Sequence, residues 1–149
     1  MEIIWHDMHH RDLSAQQLYA VLALRCAVFV VEQSCPYQDV DGQDLVAENR
    51  HILGMRDDEL VACARILTPA DKAAPVAIGR VVVSGSARGL NLGYQLMVQT
   101  LLSCEQHWPG RSVYLSAQAH LQRFYRGLGF EACSEVYLED AIPHIDMRK

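Results

Sequence analysis

The chain has 149 residues, of which half are hydrophobic and 21% are charged, and its formal net charge is −5. These proportions are typical of one globular domain, and because no Pro/Gly/Ser-rich linker or internal repeat divides residues 1–149, we predict a single domain. Lysines and arginines are not clustered, which argues against nucleic-acid binding. We expect neither a signal peptide nor an apolar run that approaches the roughly 18 residues of a membrane span.

The cysteines predict reduced thiols in a cytoplasmic protein. Their number is odd, no CxxC pair occurs, and most of them lie within apolar segments, as core thiols do. They are Cys26, Cys35, Cys63, Cys104 and Cys133.

The first predicted elements are a strand over Glu2–Met8 and a long helix. Ser14 can cap the helix, and Gln17 at its third position completes a capping box. Apolar residues at helical spacing then continue to about Gln33.

Arg25 and Glu32 lie on the apolar stripe of this helix. A charge that faces a core is costly unless it is paired or opens onto a cleft. The two residues therefore either form structural ion pairs or belong to the polar wall of a substrate pocket. Arg65, on an apolar strand face further along, presents the same alternatives, with Glu32 as its candidate partner.

An irregular loop over Pro36–Asp44 carries an acidic cluster, formed by Asp39, Asp41 and Asp44. The cluster is either a solvated loop or a rim that faces a positively charged substrate.

Two apolar runs, His51–Met55 and Leu60–Leu67, are separated by a turn-forming segment and predict an antiparallel hairpin. Val76–Val83 is β-branched on both faces, which predicts a central strand. Asn91–His107 has apolar residues at helical spacing and predicts the helix that follows this strand.

Towards the C-terminus we predict a strand over Ser112–Ser116 and a short helix over Leu121–Leu128, closed by Gly129. Two more strands, over about Phe130–Leu138 and Ile142–Arg148, finish the chain. Strands that alternate with helices and also form hairpins imply an α/β fold with a mixed sheet covered by helices.

The segment Ser84–Gly93, between the central strand and the long helix, is suited to an anion. Its small residues let a ligand approach the backbone, and the helix N-terminus offers free N–H groups and a positive dipole end. Arg88 can add a charge-assisted hydrogen bond. The segment has neither the Gly-Lys-Ser/Thr of a P-loop nor a full GxGxxG. The alternative is an ordinary tight turn.

The combination of Val81–Val83, Arg88–Gly93 and Phe124–Phe130 resembles the GNAT superfamily of N-acetyltransferases. The family's phosphate loop is usually written Gln/Arg-x-x-Gly-x-Gly/Ala, and Arg88–Gly93 matches it except that Asn91 replaces the middle glycine. Over essentially the whole chain the sequence is similar to the ElaA group of this superfamily, in which the middle position of the phosphate loop is also not strictly glycine. The matching segments are Gln17–Gln33, Cys35–Asp39, Asn49–Gly54, Ala117–Leu121 and Ile142–His144.

The resemblance implies a mixed, largely antiparallel sheet, splayed near its fourth strand and flanked by helices, that binds acetyl-CoA. The pantetheine arm would bond to the backbone near Val81–Val83, and the pyrophosphate would lie on the turn after it. The residues that the resemblance assigns to the cofactor are Val81, Val82, Val83, Arg88, Gly89, Leu90, Asn91, Leu92, Gly93, Tyr94, Gln118 and Phe124.

The resemblance also implies direct acetyl transfer to a primary amine of a small molecule or a protein. Tyr125 would protonate the leaving thiolate, although an aromatic at this spacing is otherwise typical of a core. An amine of pKa about 10 must first lose a proton, for which Glu32, His51 and His144 are the candidate bases. We assign no metal site.

The acceptor side is predicted from charged and polar residues of the helix, the acidic loop and the hairpin, namely Arg25, Glu32, Gln33, Asp41 and Arg65. Two other functions stay open. One is a non-catalytic acyl-CoA-binding regulator, and the other is an acyl-homoserine lactone synthase, which shares an early Arg-x-x-Val-Phe pattern. The acceptor, the acyl chain and the oligomeric state, with a homodimer as one option, are not determined by the sequence.

Overall fold

An eight-stranded mixed sheet organises the chain in the computed structural model, which describes residues 2–149. The strand order is β1-β2-β3-β4-β5-β8-β6, and β7 also pairs with β8. The strands are β1 (Ile4–His9), β2 (Arg50–Arg56), β3 (Glu59–Leu67), β4 (Val76–Val83), β5 (Val113–Gln118), β6 (Glu131–Ala132), β7 (Tyr137–Glu139) and β8 (Ile142–Arg148). The helices are α1 (Ala15–Arg25), α2 (Leu92–His107) and α3 (Gln122–Arg126), with short 3-10 turns at His10–Asp12, Gly85–Ala87 and Ala119–Leu121.

The first helix begins at the predicted capping box and changes type half-way. The Gln17 backbone N–H donates to Ser14 Oγ at 3.0 Å, and the Ser14 N–H donates to Gln17 Oε1 at 2.8 Å. After α1 the chain continues as a π-helix over Cys26–Glu32. The predicted single helix to about Gln33 is therefore right in extent, but its second half is wound more widely.

The segment Ala15–Glu32 is long and apolar enough to cross a membrane by length and composition alone, with a mean hydropathy of 1.4 over 18 residues. The expectation that no run approaches this length is therefore wrong. In the fold, Arg25 lies buried within this segment and bonds to two aspartates of the following loop. Core helices of soluble proteins pass the same criteria.

The sheet carries a helix on each face, as the mixed α/β prediction requires. Val28 of the π-helix packs with Cys63 of β3 on one face. Leu96 of α2 packs with Ala64 of β3 on the other. Neighbouring residues of a strand point to opposite faces, so β3 separates two apolar layers and is buried almost throughout.

The sheet opens between β4 and β5, which confirms the predicted splay at the fourth strand. Their parallel pairing covers only Val76–Ile78 of β4. Beyond this point β4 contains a bulge, because two residue steps on β3 oppose three on β4 and Arg80 has a left-handed φ of 52°. A bulge bends its strand and increases the local twist. The two strands consequently diverge and leave a gap at the end of β4.

The prediction of one continuous strand over about Phe130–Leu138 is wrong, because this segment forms two short strands. From Ala132 to Tyr137 this segment advances five residues, while its partner β8 advances only three, from Met147 to His144. The surplus residues loop out, and Ser134 Oγ accepts a hydrogen bond from the Asp146 N–H at 2.9 Å. Register against β8 therefore interrupts the strand.

Six charged side chains form a closed ring in which arginine and aspartate alternate, called the charge ring below. It joins α1, β3 and β4 to the loop that the sequence marks as acidic. Around the ring, the nitrogen–oxygen pairs are Arg25–Asp39 (2.8 Å), Asp39–Arg80 (3.0 Å), Arg80–Asp41 (3.2 Å), Asp41–Arg65 (2.8 Å), Arg65–Asp44 (3.2 Å) and Asp44–Arg25 (2.6 Å).

The charge ring answers the questions that the sequence left open about these charges. Arg25 is buried, with a side chain only 1% exposed, and pairs with two aspartates, so the structural alternative holds for it. Arg65 pairs with Asp41 and Asp44, and the predicted partner Glu32 instead bonds to Arg88. Ion pairs with three arginines thus anchor the acidic loop to the rest of the fold.

Acid is expected to weaken the fold through this ring. Partial burial alone raises the pKa of Asp41, but hydrogen bonds from Arg65 and the Gln43 N–H, together with the charges of Arg65 and Arg80, outweigh it and lower the pKa from 3.8 to about 2. A depressed pKa contributes stability that is present above pH 4 and is lost as the pH falls towards 2. We expect a loss of about 1–2 kcal/mol from Asp41, reduced by solvent screening of a partly exposed group.

Urea unfolding curves at pH values between 5 and 2 measure this loss. Asp41→Asn should be less stable than wild type at pH 5 and should lose less stability on acidification. Asp58→Asn, in the exposed β2–β3 turn and without an ion pair among residues 2–149, is the matched control. Identical pH dependence in wild type and Asp41→Asn would contradict the assignment.

Candidate functional site

A cleft of about 610 Å³ lies where β4 and β5 diverge. Its walls are β4 from Ala77 to Val83 and β5 from Tyr114 to Gln118, together with the end of the π-helix, α3 and the β7–β8 turn. A strand inside a sheet is normally hydrogen-bonded along both of its edges. Where β4 and β5 diverge, the backbone groups of β4 on that side have no strand partner and can bond a ligand.

A second cavity of about 520 Å³ continues the cleft towards the start of α2. The two cavities share residues of β4, α2, α3 and the turn between β4 and α2, so they form one continuous site. The shared residues are Val83, Arg88, Gly93 and Phe124. The second cavity is otherwise lined by Gly89, Asn91, Leu92 and Tyr94.

The turn before α2 depends on two residues with left-handed backbone. Gly89 has a φ of 85° and Asn91, which precedes α2 directly, has a φ of 60°. Asparagine tolerates this conformation better than most residues with a side chain, which explains how it replaces a glycine here. Its side chain caps no N–H group of the helix. The first-turn amides of α2 are thus left for an anion.

Arg88 supplies the positive charge beside this turn. Its Nη1 lies 2.6 Å from Glu32 Oε2, and its Nη2 donates to the Val83 carbonyl at 3.3 Å. Both side chains of the ion pair are about half exposed. Glu32, predicted as a base and an acceptor contact, therefore lies against the anion-binding turn and does not line the cleft.

Tyr125 lies deep in the cleft with its hydroxyl unbonded. The residue is 6% exposed, and its ring makes edge contacts with Phe124 and Phe130. No hydrogen bond within residues 2–149 ends on the hydroxyl, and burial raises the pKa of Tyr125 to about 12. The hydroxyl is therefore free to donate to a group that enters the cleft.

His144 also faces the cleft and carries a defined tautomer. Its Nδ1 lies 2.7 Å from the Ile142 carbonyl, which can only accept, so Nδ1 bears the proton and Nε2 has a free lone pair. Nε2 lies 3.6 Å from Glu139 Oε2, and the Tyr137 ring stacks on the imidazole. This arrangement suits a group that accepts a proton and is then stabilised by a carboxylate.

His51 occupies a different environment from His144. It is 1% exposed, does not line the cleft, and its Nε2 lies 2.9 Å from the Asp44 carbonyl oxygen. Burial lowers its pKa, and its hydrogen bond holds the acidic loop. The prediction of His51 as a base is therefore corrected, because no substrate in the cleft reaches the imidazole.

The predicted acceptor contacts need the same correction for the most part. Arg25, Asp41 and Arg65 do not line the cleft, because their charged groups bond to one another in the charge ring. Gln33 does line it, and its Oε1 accepts a hydrogen bond from Gln118 Nε2 at 3.3 Å.

Most of the predicted cofactor residues fall together in the two cavities. Val81–Val83, Gln118 and Phe124 line the cleft, and the residues of the turn line its continuation. Leu90 is the exception, since it lies outside both linings and is 43% exposed.

Several cleft residues were not singled out from the sequence, among them Tyr37, Ser116, Glu139 and Asp140. A signal existed for Ser116, because polar and apolar residues alternate along β5 and place it on the face of Gln118. Glu139 and Asp140 carry no local signal. They reach the cleft only because β7 pairs with β8.

Comparison with known proteins gives a consistent result. Residues 10–149 match the family described as acetyltransferase (GNAT) domain. The protein ElaA of Escherichia coli K12 is 61% identical over 147 residues, which are 99% of this chain and 96% of ElaA. The crystal structure of Escherichia coli ElaA matches with a TM-score of 0.96 and 60% identity, covering 99% of both chains.

Other solved structures extend this similarity. An acyl-CoA N-acyltransferase from Pseudomonas aeruginosa has a TM-score of 0.96 and 53% identity, again over 99% of both chains. An aminoglycoside 6'-N-acetyltransferase complexed with coenzyme A has a TM-score of 0.72 at 17% identity, covering 97% of this chain and 96% of that one. The acyl-homoserine lactone synthase LasI has a TM-score of 0.79 at 14% identity, covering 99% and 89%. The last two show likeness of fold alone.

Proposed function

The chain belongs to the GNAT acetyltransferase family and, within it, to the ElaA group, and from this membership we propose that it transfers an acetyl group from acetyl-CoA directly to a primary amine of a small molecule or a protein. The observation that carries the proposal is the continuity of the cleft. One end is an anion-binding turn, and the buried Tyr125 hydroxyl and the His144 imidazole lie along its walls. Five unpaired thiols suit a reducing compartment, and we propose the cytoplasm.

The turn before α2 fits the pyrophosphate of coenzyme A. Free helical amides and Arg88 together provide hydrogen bonds and positive charge at one point. The unpaired edge of β4 after Ile78 offers further backbone groups to the amide-bearing arm of the cofactor. A neighbour of the same fold, the aminoglycoside acetyltransferase, was solved with coenzyme A.

Tyr125 supports the reaction as a hydrogen-bond donor. Acetyl-CoA supplies the thioester carbonyl that the amine attacks and the sulfur that leaves. A phenol with a pKa of about 12 stays protonated at neutral pH. Handing its proton fully to a thiolate of ordinary pKa near 8.5 would be uphill by roughly 5 kcal/mol. Tyr125 therefore stabilises the departing sulfur by donating a hydrogen bond before any proton transfer is complete.

His144 is the favoured base among the three candidates. An aliphatic amine is mostly protonated at neutral pH, since its ordinary pKa is about 10, and must lose a proton before it attacks. Of Glu32, His51 and His144, only His144 lines the cleft, and its Nε2 has a free lone pair. The proton it accepts is stabilised by Glu139, 3.6 Å away.

Replacing Arg88 is expected to weaken coenzyme A binding. Arg88→Ala removes a charge-assisted hydrogen bond to phosphate, so the dissociation constant measured by calorimetry should rise about tenfold. Arg11→Ala, which alters an exposed arginine that lines neither cavity, should leave the constant unchanged. Absence of binding by the wild type at millimolar ligand would remove the cofactor from the proposal.

Replacing Tyr125 is expected to slow turnover without loosening the cofactor. Tyr125→Phe deletes only the hydroxyl, so kcat in a thiol-release assay should fall by a factor of about 100. Coenzyme A affinity should change by less than about threefold, because the turn that binds the pyrophosphate is unaltered and only one hydrogen bond, to a weak sulfur acceptor, is lost. An unchanged kcat at neutral pH would exclude a required phenol.

Replacing His144 is expected to alter the pH profile. His144→Gln keeps a polar group of similar reach but cannot take up a proton, so the low-pH limb of kcat/KM should disappear as the rate drops about 100-fold. His120→Gln, at another cleft histidine, is the matched control. A low-pH limb that survives in His144→Gln would assign the base elsewhere.

The alternative function makes a different prediction in the same assays. A non-catalytic acyl-CoA-binding regulator would bind coenzyme A but release no thiol with any amine. Binding together with thiol release on at least one amine therefore supports the enzyme.

A further inference from the structure

Two carboxylates stand at the β7–β8 turn, on the wall of the cleft formed by β8. Glu139 pairs with Ile142, which leaves Asp140 and Ala141 as a two-residue turn with left-handed φ angles of 50° and 63°. Such a turn holds its residues in a defined position. Glu139 and Asp140 both line the cleft.

The arginines that line the cleft are already neutralised. Arg80 bonds to two aspartates of the charge ring, and Arg88 bonds to Glu32. The Asp140 carboxylate, in contrast, has no ion pair or hydrogen bond within the described part of the chain. Within residues 2–149, Glu139 forms one ion pair, with His144 at 3.6 Å. The acceptor side of the cleft thus presents negative charge that the fold leaves uncompensated.

The same cleft also contains a hydrogen-bond donor that the described residues leave unpaired. Tyr125 is 6% exposed and lines the same cleft, and its hydroxyl makes no hydrogen bond within residues 2–149. An unpaired donor on a residue this buried favours a ligand with a hydrogen-bond acceptor in the cleft. The carboxylates and this donor therefore line one ligand site.

The rim of the cleft is bridged near the carboxylates, which favours a small acceptor. The Cys35 thiol, just after the π-helix, donates to the Asp140 carbonyl at 3.8 Å. This contact joins the helix side of the cleft to the β7–β8 turn. A flexible small amine fits such an end more readily than the surface of a folded protein.

We propose that the acceptor is a small amine with a second positive charge, which binds to Glu139 and Asp140 while its reacting amine faces Tyr125 and His144. The proposal rests on the proposed function and specifies its substrate class. In the reaction a carbon–nitrogen bond forms and the carbon–sulfur bond breaks. Of the two protons that the ammonium loses, one passes to His144 and then to solvent, and one ends on the thiolate, so the products are a monoacetylated cation, coenzyme A thiol and one proton.

The test compares matched amines on the wild-type protein. The probes are 1,4-diaminobutane, butylamine and 4-aminobutanoate, which share a chain length and differ in the charge of the far group. With a fixed acetyl-CoA concentration, kcat/KM should be at least about tenfold higher for the diamine than for butylamine, and lowest for the carboxylate. The preference should shrink at high salt, because a partly exposed ion pair is screened.

Variants assign the preference to the two carboxylates. In the double variant Glu139→Gln, Asp140→Asn, the ratio of kcat/KM for diamine over butylamine should fall about tenfold towards unity. Glu135→Gln, in the exposed β6–β7 loop and outside the cleft lining, is the control and should keep the ratio of the wild type. Circular dichroism checks that the double variant is folded.

Calorimetry of diamine and butylamine binding to the coenzyme A-loaded protein separates the two proposals. Tighter diamine binding that the double variant loses supports the subsite, even if no amine gives thiol release and the proposed acetyl transfer fails. Equal turnover of and equal affinity for the two amines overturn the subsite while acetyl transfer stands. Thiol release only with a folded protein acceptor also overturns it.

Discussion

The charge ring is the constraint on which the rest of the structure depends. Buried ions are tolerated only when each is paired, and removing one member of such a set strands its partners. Here the ring joins α1, β3 and β4 to a loop that has no regular secondary structure of its own. Arg80 is both a member of the ring and the bulged residue of β4. The bend that opens the sheet and the pairing that anchors the loop are therefore one arrangement.

The same arrangement shapes one wall of the cleft. Tyr37 donates a hydrogen bond to Asp39 at 2.6 Å, and the Arg80 guanidinium lies 5.3 Å from the centre of the Tyr37 ring. The charge ring thus fixes the position of Tyr37, which is an aromatic part of the cleft wall. Its charges cancel, so they add little net field in front of the carboxylates that face the cleft.

Local patterns were enough to predict much of the fold, and most residues predicted to bind the cofactor fall together in two cavities. The bounds of β4, the capping box at Ser14 and the turn before α2 all follow from neighbouring residues. Partners that are distant in sequence were not predictable in this way. Arg65 and Asp41, which form an ion pair, are 24 positions apart. Nothing in the sequence distinguishes His51, which is buried outside the cleft, from His144, which lines it. Most residues predicted to contact the acceptor lie outside the cleft, because their partners come from segments that are far apart in the sequence.

Asparagine at the start of α2 has a consequence for the unfolded chain. A glycine reaches a left-handed conformation without strain but gives up more conformational freedom when the chain folds. Asn91 restricts the unfolded ensemble and accepts a small steric cost in return, in a conformation that it tolerates. The turn therefore forms at a lower entropic cost than it would with glycine at this position, which favours the folded chain.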